Sequence, residues 1–410
     1  MDALQKDQKD QPVSASGSPA PRSRALQNQT WNKNYHAAAV YGYVFVILLI
    51  ATALWHVLTP DRGYSALEKR TLTSFPQLSL QNVASAEWMQ KVEKYASDQF
   101  PARDAMMQLK SDVSLRLGET ESNGVYYGRD GSLMQAMEPW EPELLQKTAE
   151  AVRQFTERYS FRGRYFLLVP SAMVLYPENL PFFVDNQAET SYIETFRSLL
   201  PESVEAPDLF PILNETKQSG ERVFYLTDHH WTTTAAYHVF TSLASSFAWK
   251  ESQMDFSVVS NRFLGALVSK SGYMPASSDS ILAGYDREIR VRVSRTDGTI
   301  ESSFYRPEAL GTSDEYLFFL GDNEPMLSIT TTADSDDTLL VFKDSYANCF
   351  LPFLAASYKN IIVIDPRYYS EPVSSLFITG GYTDVLFLYS PHTLAYNEAL
   401  SILLVDEAED

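Results

Sequence analysis

The longest apolar run in the chain is AAAVYGYVFVILLIATALWHVL, Ala37 to Leu58, with 22 residues and no charged side chain. As a helix rising 1.5 Å per residue it would span roughly 33 Å, enough for the hydrocarbon core of a bilayer. Trp31, Tyr35, Tyr41 and Tyr43 gather near one end and Trp55 near the other, where interfacial aromatics belong. The pattern predicts a transmembrane helix over 37–58. Residues 1–36 are polar, rich in Gln, Ser and Pro, without apolar periodicity, and read as a disordered tail. Basic residues tie across the span: Arg22, Arg24 and Lys33 before it, Arg62, Lys69 and Arg70 after it. Long downstream domains translocate largely regardless of charge, so the short tail is placed in the cytoplasm and residues 59–410 outside. The ATA at 51–53 resembles a small-x-small cleavage site, but the apolar run continues through Leu58, as in an uncleaved anchor.

Beyond the span the periodicity turns helical. Trp88, Met89, Val92 and Tyr95 recur at helical spacing, Phe100-Pro101 interrupts, and ARDAMMQLKSDVSLRL starts a second helix. Residues 59–120 are read as a membrane-proximal helical neck. NGVYYGRDGSLM, 123–134, predicts a hairpin turning at Asp130-Gly131. From there strands and helices alternate. RYFLLVP (164–170), VEAPDLF (204–210) and RVFYLT (222–227) read as strands, ETSYIETFRSLL (189–200) and WTTTAAYHVFTSLASSF (231–247) as helices. TLLVFKDS (338–345), NIIVIDP (360–366) and DVLFLYS (384–390) are continuous apolar runs, as expected of parallel strands covered on both faces. The pattern predicts a three-layer α/β domain over 121–405. REIRVRVSRTDGTIESSFYR, 287–306, alternates around Asp297-Gly298 and reads as a hairpin inserted beside the site, within an insertion spanning about 285–335.

Composition narrows the function classes. Apolar residues make up 45% of 410, enough to bury a sizeable core. A formal charge of -19 with no basic stripe argues against nucleic-acid partners. The single cysteine, Cys349, permits no internal disulfide and is compatible with either side of a membrane.

Candidate chemistry concentrates in YLTDHHWTTTAAYHVF, Tyr225 to Phe240, which holds three of the six histidines. Asp228 is expected just past a strand end, where sites gather in open α/β sheets. Residues two apart point to one side, so Asp228 would reach Nδ1 of His230 and leave Nε2 to face a nucleophile as general base. Two other readings stay open: Asp228 or Thr227 capping the following helix, or a metal site, which lacks an obvious third ligand. His238, inside the helix, reads as a packed or surface residue. Ser345 follows a buried strand, with the next N–H groups placed to face an oxyanion. Asp228, His230 and Ser345 would complete a Ser–His–Asp set in the order Asp, His, Ser. Cys349 sits among Phe350, Leu351 and Phe353 and reads as a packed apolar residue. Asn323, Asn348 and Tyr346 are the candidate oxyanion or substrate contacts; no cofactor or metal is expected.

TDHHWT, with EKRTLTSFP, YASDQFPARD, NGVYYGRDGSL, FLGALVSKSGY, VFKDSYANCFLPFL and IDPRYY, resembles the bacterial DHHW proteins. These are similar to the SGNH-like O-acetyltransferases of alginate and other exopolysaccharides, and the resemblance covers about residues 66–390. It implies an SGNH-hydrolase-like three-layer sandwich with a mainly parallel sheet, and assigns the triad to Asp228, His230 and Ser345. Two positions depart from the pattern: Ala235, where glycine is usual, and Cys349, where serine is. The implied activity is acetyl transfer to a cell-surface or exopolysaccharide glycan by a membrane-anchored extracellular enzyme. A multipass membrane O-acyltransferase would be its acetyl-supplying partner. The alternatives are a carbohydrate O-acetyl esterase and a non-catalytic glycan-binding or assembly protein on the same fold.

Overall fold

The computed structural model describes residues 21–65, 70–77, 87–273, 277–378 and 380–405. Contacts divide the chain into two units, Met1–Arg62 with Thr73–Pro101, and Gly63–Leu72 with Ala102–Asp410.

In the first unit helix α1 runs from Pro21 to Leu58, and its Ala38–Leu58 stretch is long and apolar enough to cross a membrane. Of the tail expected to be disordered over 1–36, residues 1–20 lie outside the described residues, and 21–36 are helical instead. Proline suits a first helical position, and Arg, Ala, Leu and Gln are good helix formers. Once the apolar segment nucleates a helix, extension adds one hydrogen bond per residue fixed. Helix α2, Glu87–Asp98, packs beside the foot of α1: the Tyr95 ring meets His56 edge-on at 5.9 Å and its hydroxyl donates to Asp61. Asp98 accepts both the N–H and the hydroxyl of Thr73.

In the second unit helix α3, Arg103–Arg116, precedes a small antiparallel sheet of β1 (Glu121–Ser122), β2 (Val125–Tyr127) and β3 (Leu133–Gln135). Helix α4 (Pro142–Arg158) leads into β4 (Gly163–Leu168), followed by α5 (Gln187–Leu199), α6 (Phe210–Gln218) and α7 (Thr233–Ala244). A long ribbon of β5 (Met254–Phe263) and β6 (Asp279–Asp286) flanks the short helix α8, Ala266–Ser271. Strands β7 (Val291–Arg295), β8 (Ile300–Glu301), β9 (Met326–Thr331), β10 (Thr338–Lys343), β11 (Asn360–Ile364) and β12 (Asp384–Tyr389) follow, then α9 (Pro391–Tyr396) and α10 (Ala399–Leu404).

The central sheet has the order β8-β7-β9-β11-β10-β12-β4. Its four contiguous strands β11, β10, β12 and β4 are parallel. The three strands at the other edge pair antiparallel, so the sheet is mixed where a mainly parallel one was expected. β9 itself runs antiparallel to β11, and the 287–306 hairpin adds the other two strands. Asp297 accepts the Thr299 N–H and Gly298 takes φ +87°, which closes the turn. The hairpin then pairs with β9 and lengthens the sheet. The continuous apolar runs arise because successive side chains enter opposite cores. In β10, Leu339 and Val341 join a cluster with Val239, Phe240 and Leu243 of α7. Leu340 and Phe342 join another with Val152 and Phe155 of α4 and Phe196 of α5. Helices therefore cover both sheet faces.

Two expected strands do not form. In 204–210 only Glu205 makes a bridge, to Tyr165. In 222–227 only Phe224 does, pairing antiparallel with Trp231. Asp228 and His230 therefore sit in a tight reversal, not at the end of a sheet strand.

Candidate active site

Two loops make the site. The first, residues 226–230, is shaped by two buried carboxylates. Asp279, at the start of β6, accepts the N–H groups of Leu226 and Thr227 and the Thr227 hydroxyl, at 2.8 to 3.0 Å. Asp228 accepts the His230 N–H with Oδ1 and the Ala266 N–H with Oδ2. The second loop follows β10. Asp344 Oδ1 accepts the Tyr346 N–H, and Oδ2 accepts both the N–H and the hydroxyl of Ser390. This fixes Ser345 at the head of a single 3-10 turn.

The loops are stitched to each other. The Trp231 indole N–H donates to the Tyr346 carbonyl at 2.8 Å. The Tyr346 hydroxyl donates to the His229 carbonyl. Trp231 is fully buried with its ring parallel to Phe350, which accounts for tryptophan after the histidine pair. Between these ties His230 Nδ1 lies 2.6 Å from Asp228 Oδ1, and its Nε2 lies 2.7 Å from Ser345 Oγ. The three residues marked from the sequence thus form one continuous hydrogen-bonded chain. The capping reading is displaced: the helix cap is Thr232, whose hydroxyl accepts from the Ala235 N–H.

Burial alone would push the Asp228 carboxyl up, but the two imidazoles and the hydrogen bonds from His230 and Ala266 outweigh it. They hold it well below the usual carboxylate range. Asp228 therefore stays ionised and fixes the His230 tautomer with the proton on Nδ1. Ligand-type atoms of Asp228, His229 and His230 lie within 4.8 Å of one another, the spacing a metal ion needs. Yet both Asp228 oxygens and both His230 nitrogens already serve other partners, so a metal would have to break this network.

A cavity of about 360 Å³ opens beside Ser345, lined among others by His229, Gln135, Lys270, Arg367 and His392. Tyr346 also lines it, but its N–H is held by Asp344. Asn348 does not line it: its Oδ1 accepts from the buried ammonium of Lys343, whose other neighbour is Asp365 at 3.7 Å. Asn323 is exposed, does not line it either, and donates to the Tyr368 hydroxyl. Cys349 is buried and its thiol is pushed up to about 12 by burial. His238 pairs through Nδ1 with the Thr216 hydroxyl, in the packing of α6 on α7.

The sequence reading missed several contributors. Tyr316 stacks on His230 and donates its hydroxyl to the Ser345 carbonyl at 3.2 Å. Asp279 orders the histidine loop. Gly265 lets Asp228 approach: a Cβ there would lie 2.5 Å from Asp228 Oδ2 and from the Thr227 carbonyl. Only the glycine left a trace, in FLGALVSKSGY; the other two carry no local pattern.

Comparison with known proteins agrees with this architecture. The family model ALGX, an SGNH hydrolase-like domain of acetyltransferase AlgX, matches residues 125–258. A probable alginate O-acetylase AlgJ from Pseudomonas fluorescens is 25% identical over 218 residues, 52% of this chain and 52% of the relative. The chain thus spans about half the length of the curated relative it matches. A solved DHHW family protein from Eubacterium siraeum superposes with a TM-score of 0.58 at 22% identity, covering 69% of this chain and 95% of that one. Bacillus cereus PatB1 superposes at 0.54 and 20% identity, covering 67% and 98%. The chain carries an SGNH-like α/β fold and resembles the DHHW proteins and the SGNH-like O-acetyltransferases.

Proposed function

We propose that this chain is a membrane-anchored Ser–His–Asp acyl-transfer enzyme, an O-acetyltransferase acting on a cell-surface or exopolysaccharide glycan. The observation that carries the reading is the continuous run from Asp228 through His230 to Ser345, with contacts of 2.6 and 2.7 Å. In this mechanism His230 Nε2 takes the Ser345 proton as Oγ attacks an acetyl ester, and the leaving group receives that proton. An acetyl-serine forms. A sugar hydroxyl then attacks it, giving its proton to His230, and Oγ recovers the proton on leaving. Asp228 stabilises the imidazolium in both steps. Ser345's own N–H is assigned as an oxyanion donor, since the first N–H of a helical turn has no partner within it.

The relative described as a probable alginate O-acetylase supports acetyl as the transferred group and a polysaccharide as acceptor. Helix α1 anchors the chain, with the N-terminal tail in the cytoplasm and residues 59–120 next to the membrane. Residues 121–405 work outside, supplied with activated acetyl groups by a multipass membrane acyltransferase.

The test uses the full chain in detergent with 4-nitrophenyl acetate. Wild type turns over, and Ser345→Ala loses roughly 10³-fold or more. A sulfonyl fluoride labels Ser345, read by peptide mass spectrometry. Equal rates for the two proteins, with no label, would leave glycan binding as the function. Turnover to water alone, whatever sugar is added, would make the protein an esterase.

A further inference from the structure

We infer that His229 binds the acceptor, taking a hydrogen bond from a second hydroxyl of the sugar whose neighbouring hydroxyl reacts; this rests on the acyl-transfer reading above. The two adjacent histidines are placed for different work. His230 is closed off: its side chain is 6% exposed, both ring nitrogens have partners, and Tyr316 lies on its ring at 3.7 Å. His229 is 29% exposed and lines the same cavity as Ser345, with its ring centroid 4.0 Å from that of His230.

What His229 does for the fold, it does through its backbone. Its carbonyl accepts the Tyr346 hydroxyl, a service any residue supplies. Its ring makes no hydrogen bond to the described residues. Nδ1 lies 3.5 Å from Asp228 Oδ1, and that carboxylate favours the proton on Nδ1. Nε2 then keeps a lone pair and can only accept. Burial first, and then His230, push the ring's pKa down to about 3, so it stays neutral at working pH.

In the second half-reaction the reacting hydroxyl must present its proton to His230 Nε2. The acceptor oxygen bonds to the acetyl carbon, the bond from that carbon to Ser345 Oγ breaks, and the proton passes by His230 to Oγ. Acetyl-Ser345 and the sugar become free Ser345 and an O-acetyl sugar. Adjacent hydroxyls of a sugar ring lie side by side, as do the two imidazoles, whose ring centroids are 4.0 Å apart. A vicinal diol therefore satisfies both rings as one rigid piece, which raises its local concentration over water. A cavity of about 360 Å³ is in the size range of small-ligand sites.

The experiment acetylates the full chain in detergent with 4-nitrophenyl acetate. It measures partition of the acetyl group between water and two acceptors, a panel of methyl pyranosides and propan-1-ol, which has no second hydroxyl. His229→Phe keeps the ring's shape and removes Nε2. The transfer-to-hydrolysis ratio should fall about 10-fold for the pyranosides, the worth of one good hydrogen bond, and less than about two-fold for propan-1-ol. His229→Gln, which retains a polar end, should fall between. A ratio that holds, or that falls equally for both acceptors, overturns the inference. So does a wild type that acetylates no pyranoside although its serine is acylated. Loss of acylation in both variants would make the ring a structural part and also overturn it. A wild type with no acyl-serine at all sinks the enzyme reading beneath it instead.

Discussion

Tyr316 lies flat on His230, with ring centroids 3.7 Å apart and planes 6° from parallel, and its hydroxyl reaches the carbonyl of Ser345. One side chain thus braces both the base and the nucleophile. Tyr316→Ala should free the imidazole to tilt and cost about 10²-fold in kcat, as small misplacements of reacting groups do. Tyr316→Phe keeps the stack and loses a single hydrogen bond, so its loss should be about five-fold or less. Steady-state kinetics on an acetyl ester checks both. Equal losses would mean that the hydroxyl, not the stacked ring, does the positioning.

Gly265 is required by crowding. A Cβ at this position would enter the space of the Asp228 side chain, which is held by the Ala266 N–H at 2.7 Å. The neighbouring Thr227 cannot yield, because its hydroxyl accepts the Gly265 N–H and donates to Asp279. Gly265→Ala should therefore destabilise by about 1–3 kcal/mol and lower kcat together with stability. Urea denaturation and ester hydrolysis on the same preparation test the coupling. A stable variant with reduced kcat would place the strain in Asp228 alone.

Cys349 should be inert. It is buried and its thiol is pushed up to about 12, leaving almost no thiolate near neutrality. Iodoacetamide at pH 7.5 should leave the native protein unmodified and active, while the urea-unfolded chain alkylates fully. Native labelling accompanied by loss of activity would move the nucleophile from Ser345 to Cys349.

The parts legible in the sequence are those that physics writes locally. A charge-free run marks α1, and strands buried on both faces write themselves as continuous apolar runs, as Leu339 to Phe342 do by feeding two cores in alternation. The stretch 222–227 misled because it is equally apolar, yet the N–H groups of Leu226 and Thr227 go to the Asp279 carboxylate and that of Val223 to the Tyr176 hydroxyl, rather than to a neighbouring strand. Asp228, His230 and Ser345 were visible because two share a short motif and the third ends a strand. Tyr316 and Asp279 reach the same place from distant segments, and nothing in their own neighbourhoods announces it. The direction of the 287–306 hairpin was legible from alternation about Asp297-Gly298. Its destination, the edge of the central sheet, depends on a strand thirty residues on, Met326–Thr331, which gave no clear signal.

Acid should destabilise the fold well before carboxylates titrate. Burial first, and then Lys270, push His392 down from 6.5 to about 4, and its Nε2 accepts a hydrogen bond from the Gln135 amide at 2.6 Å, which a neutral ring permits. His229 is pushed down to about 3. Both rings have lower pKa values folded than unfolded, so the unfolded chain binds more protons below about 6.5, and stability falls with pH. Their contribution is complete above 6.5 and is lost progressively towards 4 for His392 and 3 for His229. Asp228, also depressed, acts in the same direction, but its loss begins only as pH drops into the carboxylate range. The melting temperature of the full chain in detergent should therefore decline from pH 7 to pH 4.5. His392→Gln, which has no proton to gain, should decline less steeply over that interval. Parallel curves for wild type and His392→Gln would show that this histidine is accommodated equally well charged, and would remove it from the account.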